Sequence, residues 1–499
     1  MKLETFFEKF DQFADAPDAL GRMRELVLEL SATGGLIPEA SERPVEEETT
    51  LMGPIVELVM GQAPAGDEYN TEGRGTVFVK VGEFGPLYPR KEVWTTNPLK
   101  FAKIGDVLVC VVGATVGKLN LAIDCAIGRS VAAIRPSSVL DTKFLYYSLI
   151  PYTLRLRRNS RGSAQGVIGK AELNAISLWV PSPAVQRQIV AKVDELMALC
   201  DRLAMQQQER EARHAALARA SLARFADAPT PANLPFLFHP SYPIPPADLR
   251  KSILTLAVQG KLVPQDPNDE PAEDLLVRLG LKSTAAVTNG ADVEDDSLPP
   301  AWARVRFEDI ALVAGGVTLG RKLAERKTVT LPYLRVANVK RGKIDLTVIK
   351  EVSIAEDEIE RYALRENDLL MTEGGDWDKV GRAAIWRSEI PVCLHQNHVF
   401  RARMRSVELT PFWFERYFNS PVGRGYFESA SKQTTNLASI NMRQVRSCPI
   451  PIPPLAEQRR IVAKVEQLMV LVDELERQLS ASRATAEKLM EAVVAELTT

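Results

Sequence analysis

The chain writes one stretch twice, and no other feature constrains its fold as much. Pro181 to Leu203 reads PSPAVQRQIVAKVDELMALCDRL. Pro453 to Leu475, 272 positions further on, reads PPLAEQRRIVAKVEQLMVLVDEL, and 14 of the 23 aligned positions are identical. A self-match at one long offset with only two copies marks a duplicated half-molecule, not a solenoid. Each copy has helical periodicity. Ile189, Val193, Leu196, Cys200 and Leu203 recur at steps of four and three, as do Ile461, Val465, Leu468, Val472, Leu475 and Leu479. That spacing is a heptad seam, with Gln, Arg, Lys and Glu beside it. Pro181, Pro183, Pro453 and Pro454 stand where proline is tolerated at a helix entry. Two ordinary amphipathic surface helices are the alternative, but near-identity of the seams favours a common packing environment.

A second repeat supports the first. Arg24 to Pro38 reads RELVLELSATGGLIP and Arg250 to Pro264 reads RKSILTLAVQGKLVP, at an offset of 226. Both are apolar helices that break at glycine (Gly34, Gly260) and reach proline soon after. The order is therefore short helix, variable block, long helix, twice over. From Leu36 to Ile189 is 153 positions and from Leu262 to Ile461 is 199, so the helices repeat while the blocks between them differ.

The organisation expected along the chain follows. Residues 1–50 form an N-terminal helical segment ending in an acidic linker. Residues 51–180 are a first mixed block, with short strands around Thr76–Lys80, Asp106–Val112 and Ser130–Ile134, an aromatic helix at Phe144–Ile150 and an arginine-dense stretch at Leu154–Ser163. Residues 181–225 are a first long helix. Residues 226–300 hold a proline-rich segment that excludes a continuous helix and reads as an extended hinge, the short repeated helix and a polar linker. Residues 301–450 are the second block, with strand-like runs at Tyr333–Val336, Asp368–Thr372 and Val399–Ala402 and an aromatic helix at Pro411–Phe418. Residues 451–499 are the second long helix, its seam running on through Leu489 and Val493. The blocks match loosely inside: GDVLVCVVGATVGK from Gly105 to Lys118 parallels NDLLMTEGGDWDKVGR from Asn367 to Arg382. Each is a strand start, a glycine-bearing loop, then glycine and a cation.

Composition narrows the function. With 499 residues the chain has length for two to four domains. The start carries no signal-peptide apolar core, and no run approaches a membrane span. Five scattered cysteines without a C-x-x-C fit a reducing cytoplasm better than a disulfide frame. Net charge is −2, but residues 51–180 carry 15 Lys+Arg against 10 Asp+Glu, and residues 301–450 carry 24 against 18. The blocks are basic and the helical frame is acidic, which suits blocks facing phosphate and a frame facing protein, although excesses of this size also occur on ordinary solvated surfaces.

Catalytic motifs fail individually. GATVGK at Gly113–Lys118 has three residues between its glycines where a P-loop has four, and Leu119 replaces the magnesium-binding hydroxyl. No dinucleotide fingerprint sits in a βαβ setting, and neither Asn97-Pro98 nor Asp266-Pro267 completes the N/D-P-P-aromatic tetrapeptide of an amino-methyltransferase. His395 and His398 have no acidic or cysteine partner nearby in sequence to complete a metal site. The chain reads as a binder, with no cofactor of its own.

LRKSILTLAVQGKLVPQ at Leu249–Gln265 and PPLAEQRRIV at Pro453–Val462 carry a resemblance. In that order, around variable blocks, they resemble the specificity subunit of a type I restriction–modification system. The resemblance spans nearly the whole chain, strong in the frame and weak in the blocks. It implies an α+β fold with two mixed α/β target-recognition domains joined by two long helices forming an antiparallel coiled coil, related by a pseudo-twofold internal duplication. It implies double-stranded DNA read as a bipartite asymmetric site, two methyltransferase subunits that hold S-adenosylmethionine, and endonuclease/translocase subunits. The specificity subunit itself is non-catalytic. The candidate DNA contacts, chosen because Arg and Lys meet phosphate or guanine and Gln and Asn pair with adenine, are Lys118, Arg129, Arg158, Arg161 and Gln165 in the first block. In the second they are Lys379, Arg382, Gln396, Asn397, Lys432, Gln433 and Asn436. Gly113, Gly117, Gly374 and Gly375 shape the loops. The spacer seam is Ile189, Val193, Leu196, Ile461, Val465 and Leu468. Two rival readings stay open: a coiled-coil adaptor that never touches DNA, and a DNA-reading subunit of another defence complex.

Overall fold

The computed structural model describes residues 3–37, 49–159, 167–281, 298–323, 326–375, 379–434 and 437–498. It divides into two compact units, Met1–Glu211 with Ser480–Thr499, and Ala212–Leu479. Strands and helices are both abundant, so the class is α+β.

In the first unit the short repeated helix spans Ala19–Thr33 and stops at Gly34, whose φ of 82° is the left-handed geometry of a helix C-terminus. Its buried Met23, Leu26 and Val27 share one core with Phe144, Leu145 and Leu149 of the aromatic helix Thr142–Asn159. The first long helix, Pro183–Asp227, adds Ile189, Val193, Leu196 and Cys200 to that core. Ala486, Met490 and Val493 from the end of the second long helix, Leu455–Thr498, lie in the same cluster. The second unit repeats the arrangement. The short helix Pro246–Val258 contributes Leu249, Ile253 and Leu256, and the aromatic helix Pro411–Asn419 contributes Trp413, Phe414 and Phe418. Ile461, Val465, Leu468 and Val472 of the second long helix join them, with Ala218 and Phe225 from the end of the first. The seam residues therefore build the core of each unit.

The sequence repeats meet through the same contacts. Arg24 pairs with Asp201 at 2.7 Å in the first unit, and Arg250 with Asp473 at 2.6 Å in the second. At the entry of each long helix a buried glutamine holds the preceding proline turn: Gln186 Nε2 donates to Pro181 O at 2.8 Å, and Gln458 Nε2 to Pro453 O at 2.9 Å.

The duplication also runs through the blocks. Strands Thr49–Leu51 and Ser177–Trp179 pair antiparallel and close the first block; Ala303–Arg306 and Pro449–Ile452 close the second. Between them lies a four-stranded sheet, in the order Val56–Met60, Val131–Pro136, Val107–Cys110, Leu119–Leu121. Its counterpart has the order Ala311–Ala314, Val399–Met404, Leu369–Thr372, Ala383–Ile385. Their ladders are antiparallel. Each block also holds a parallel strand pair, Phe78 with Ala126 and Tyr333 with Leu394, and the second adds a parallel bridge between Val317 and Gln396.

Two sequence expectations need correction. The proline-rich stretch after Asp227 is not an extended strap: it forms turns of helix at Pro231–Asn233 and Leu234–Leu237, and buries Leu237 and Ile244 in the second unit's core. The apolar residues between the prolines bring it back onto the core. On the second long helix the buried stripe runs through Ala486, Met490 and Val493, whereas Leu489 is 40% exposed. One residue is 100° of helix, enough to turn Leu489 out of the stripe.

Candidate nucleic-acid interface

The parallel between Gly105–Lys118 and Asn367–Arg382 has a physical basis. Gly105 and Asn367 have φ of 97° and 68°, the left-handed region open to Gly and, less readily, Asn. The next residue in each is a buried aspartate. Asp106 accepts from Lys103 N and is gripped by Arg135 through Nε and Nη2 at 3.0 and 2.9 Å. Asp368 accepts from Arg365 N and takes two 2.7 Å bonds from Arg403. A two-pronged arginine–carboxylate pair fixes both partners in plane, so each strand leaves its turn in a set direction.

At the far end of that strand four backbone bonds recur. Cys110 N donates to Lys118 O at 2.8 Å, as Thr372 N does to Arg382 O at 3.1 Å. Gly117 N donates to Cys110 O at 2.8 Å, as Gly381 N does to Thr372 O at 3.0 Å. Val111 N donates to Ser130 O at 2.9 Å, as Glu373 N does to His398 O at 3.0 Å. Ile168 N donates to Val111 O, and Ile440 N to Glu373 O, both at 2.9 Å. These bonds draw together three segments far apart in sequence: the glycine loop, the turn before the next strand, and the stretch before the last helix of the block. Gly117 and Gly381 are required, with φ of 79° and 63°. A Cβ on Gly381 would come within 2.4 Å of the Phe427 ring, and one on Gly117 within 3.0 Å of Thr153.

The candidate residues fall on these segments. Arg129 is exposed at the turn between Cys125–Ile127 and Val131–Pro136. Lys118 is half-buried at the end of the glycine loop. Its ammonium donates to Phe84 O at 2.9 Å and lies 5.9 Å from the Phe84 ring centre, so it pins the loop to its own block. Arg158 lies in the last turn of the helix ending at Asn159. Arg161, Gln165 and Asn436 lie outside the described residues. Lys379 and Arg382 are half-buried on the glycine loop of the second block, and Gln396 and Asn397 are half-buried on the adjoining turn. Lys432 and Gln433 sit on strand Lys432–Thr434, which pairs with Leu437–Ser439, itself paired with Gly374–Gly375. The structure thus gathers Lys379, Arg382, Gln396, Asn397, Lys432 and Gln433 onto adjoining segments of one block.

The two histidines part company. His395 is fully buried, its Nδ1 at 2.7 Å from Val399 O, and burial pushes its pKa down to about 4. His398 is exposed and contacts the Glu373 carboxylate, with Asn397 Nδ2 at 3.4 Å from its other nitrogen. Among the described residues no cluster of three His, Cys, Asp or Glu could hold a metal ion. His398 and Glu373 stand at the same junction as the candidate residues, a pairing the sequence does not display because only the fold brings residues 373 and 398 together.

A family model described as "Type I restriction modification DNA specificity domain" matches residues 46–211 and 299–482, once for each block and the helix after it. The chain belongs to that family. The type I specificity family also supplies its relatives. The specificity subunit of the type I restriction enzyme EcoKI of Escherichia coli (strain K12) is 23% identical over 384 residues, covering 75% of this chain and 69% of that one. The EcoAI specificity subunit of Escherichia coli is 28% identical over 349 residues, covering 63% and 57%. The chain thus spans less than two thirds of the latter's length. Among solved structures, the HsdS subunit from Thermoanaerobacter tengcongensis aligns with 29% identity over 41% of this chain and 51% of that one, with a TM-score of 0.33. No helix among the described residues is long and apolar enough to cross a membrane.

Proposed function

We propose that the chain is the DNA sequence-recognition subunit of a type I restriction–modification complex, reading a bipartite asymmetric site in double-stranded DNA. The observation that carries this reading is one framework built twice with different residues at its loop ends. Lys118 corresponds to Arg382, Arg129 to Asn397 and Ser130 to His398 through the same backbone bonds. A constant scaffold with variable tips suits two readers of two half-sites. Residues 51–180 and 301–450 are the target-recognition domains in this reading. The two long helices run antiparallel as the spacer between them; in support, each contributes residues to both units' cores. The subunit is non-catalytic and acts in the cytoplasm. It directs two methyltransferase subunits, which hold S-adenosylmethionine, and endonuclease/translocase subunits to the site.

Arg129 is the cation of the first block best placed for a phosphate. Lys379, Arg382, Gln396, Asn397, Lys432 and Gln433 form the reading set of the second, and Arg158, Arg161, Gln165 and Asn436 flank the two sets in sequence. The test is the affinity of the complex assembled with methyltransferase subunits for duplex DNA, followed against salt. The reading expects affinity to fall steeply as salt rises, because each neutralised phosphate releases counterions. Salt-independent affinity, or none in an assembled complex, favours a protein adaptor instead.

A further inference from the structure

We infer that the first block recognises thymine by its C5-methyl group, with Val112 and Val167 forming the apolar surface that meets it. This rests on the reading of the blocks as DNA-facing. Val112 and Val167 oppose each other across an isolated antiparallel bridge, so their side chains project to the same side. Both are open to solvent, 38% and 65% exposed. The loop continues through Ala114 and Thr115, also exposed, so methyl groups dominate this corner. Aliphatic surface left in water gains free energy when a partner covers it, and apolar groups gathered in one place mark a contact site more than single ones do.

The placement names the partner. Val111, next to Val112, accepts from Ile168 and donates to Ser130, beside the exposed Arg129. An apolar pair next to a free-standing guanidinium suits a base edge flanked by phosphate. In the major groove the thymine methyl is the one apolar group among the four bases, and aliphatic side chains read it by contact. The second block offers a control within the same chain. The corresponding bridge there pairs Gly374 with Ser439. It has the same backbone and no aliphatic side chain, and a Cβ at Gly374 would meet Ala438 O at 2.7 Å. The two blocks therefore differ in apolar character at one equivalent place.

The test uses the full chain in complex with its methyltransferase subunits and duplexes carrying the site mapped by adenine methylation. Each thymine of the first half-site is replaced in turn by deoxyuridine, which removes only the methyl. At one position the wild-type complex should bind about fourfold more weakly, the value of one buried methyl. The double variant Val112→Gly, Val167→Ser, which copies the second block, should bind the thymine and deoxyuridine duplexes alike. Val167→Ser alone, at an exposed position, serves the same comparison if the double variant fails to fold. The proposal is overturned by deoxyuridine tolerated at every first-half thymine, by a first half-site without thymine, or by variants that discriminate as wild type does. Hydrogen exchange showing Val112 and Val167 protected by complex assembly without DNA would also overturn it, assigning the patch to a protein. If exchanging the whole block leaves the first half-site unaltered, the DNA reading itself falls. If the exchange alters it while deoxyuridine has no effect, only the thymine contact falls.

Discussion

His395 shows how a residue's role depends on surroundings its sequence does not display. In sequence it is one of two nearby histidines without the partners for a metal site; in the fold it is sealed in the second block with Nδ1 on the Val399 carbonyl. Its folded pKa of about 4 lies below the ordinary 6.5, so the unfolded chain binds the proton more readily. The stabilisation from keeping it neutral is complete above about pH 6.5 and is lost as pH falls toward 4, with a cost on the order of 3 kcal/mol at the acid end. His395→Ile copies Ile127, the corresponding residue of the first block. It should flatten the acid loss of stability between those pH values in thermal melts of the second unit, and an unchanged slope contradicts this account. Arg129 carries the second prediction at this scale. Arg129→Ala should weaken DNA binding by the complex and reduce the slope of log affinity against log salt by about one, the signature of one lost phosphate contact. A full slope with Arg129 removed would place it elsewhere.

Among the elements, the helices were legible and the loop junctions were not. A helix shows its buried face at its own period, so Ile189, Val193, Leu196, Ile461, Val465 and Leu468 are evident from spacing and are buried in the structure. Apolar strands such as Val107–Cys110 and Leu369–Thr372 are also visible as short runs between turn residues. What spacing does not reveal is the bonding of Val111 to Ser130 and Ile168, or of Glu373 to His398 and Ile440, because such partners lie tens of residues apart. Nor does spacing reveal the bond of Lys118 to the Phe84 carbonyl, which belongs to another segment. The seam residues are integral to separate cores, which gives the element-scale prediction. Leu196→Ala should destabilise the first unit and Leu468→Ala the second, each by about 2–5 kcal/mol for a buried leucine. Hydrogen exchange should rise in the unit that carries the substitution; equal loosening of both units by either variant would contradict their independence.

For the whole molecule the central fact is a frame that repeats more faithfully than the surfaces it carries. The short helices, the long helices, the ion pairs Arg24–Asp201 and Arg250–Asp473, and the sheet order are common to both halves. The loop ends differ. The proposed reading of two different half-sites accounts for that pattern; a protein adaptor gives no reason for the variation to concentrate there. The most direct measurement is a genome-wide map of methylated adenine in a methylation-free host expressing this chain with its methyltransferase partner, with and without exchange of residues 51–180 for the block of another specificity subunit. The expected result is a bipartite motif that disappears when this chain is omitted and changes in one half alone after the exchange. Methylation that persists without the chain, or a motif indifferent to the exchange in an assembled complex, would contradict it.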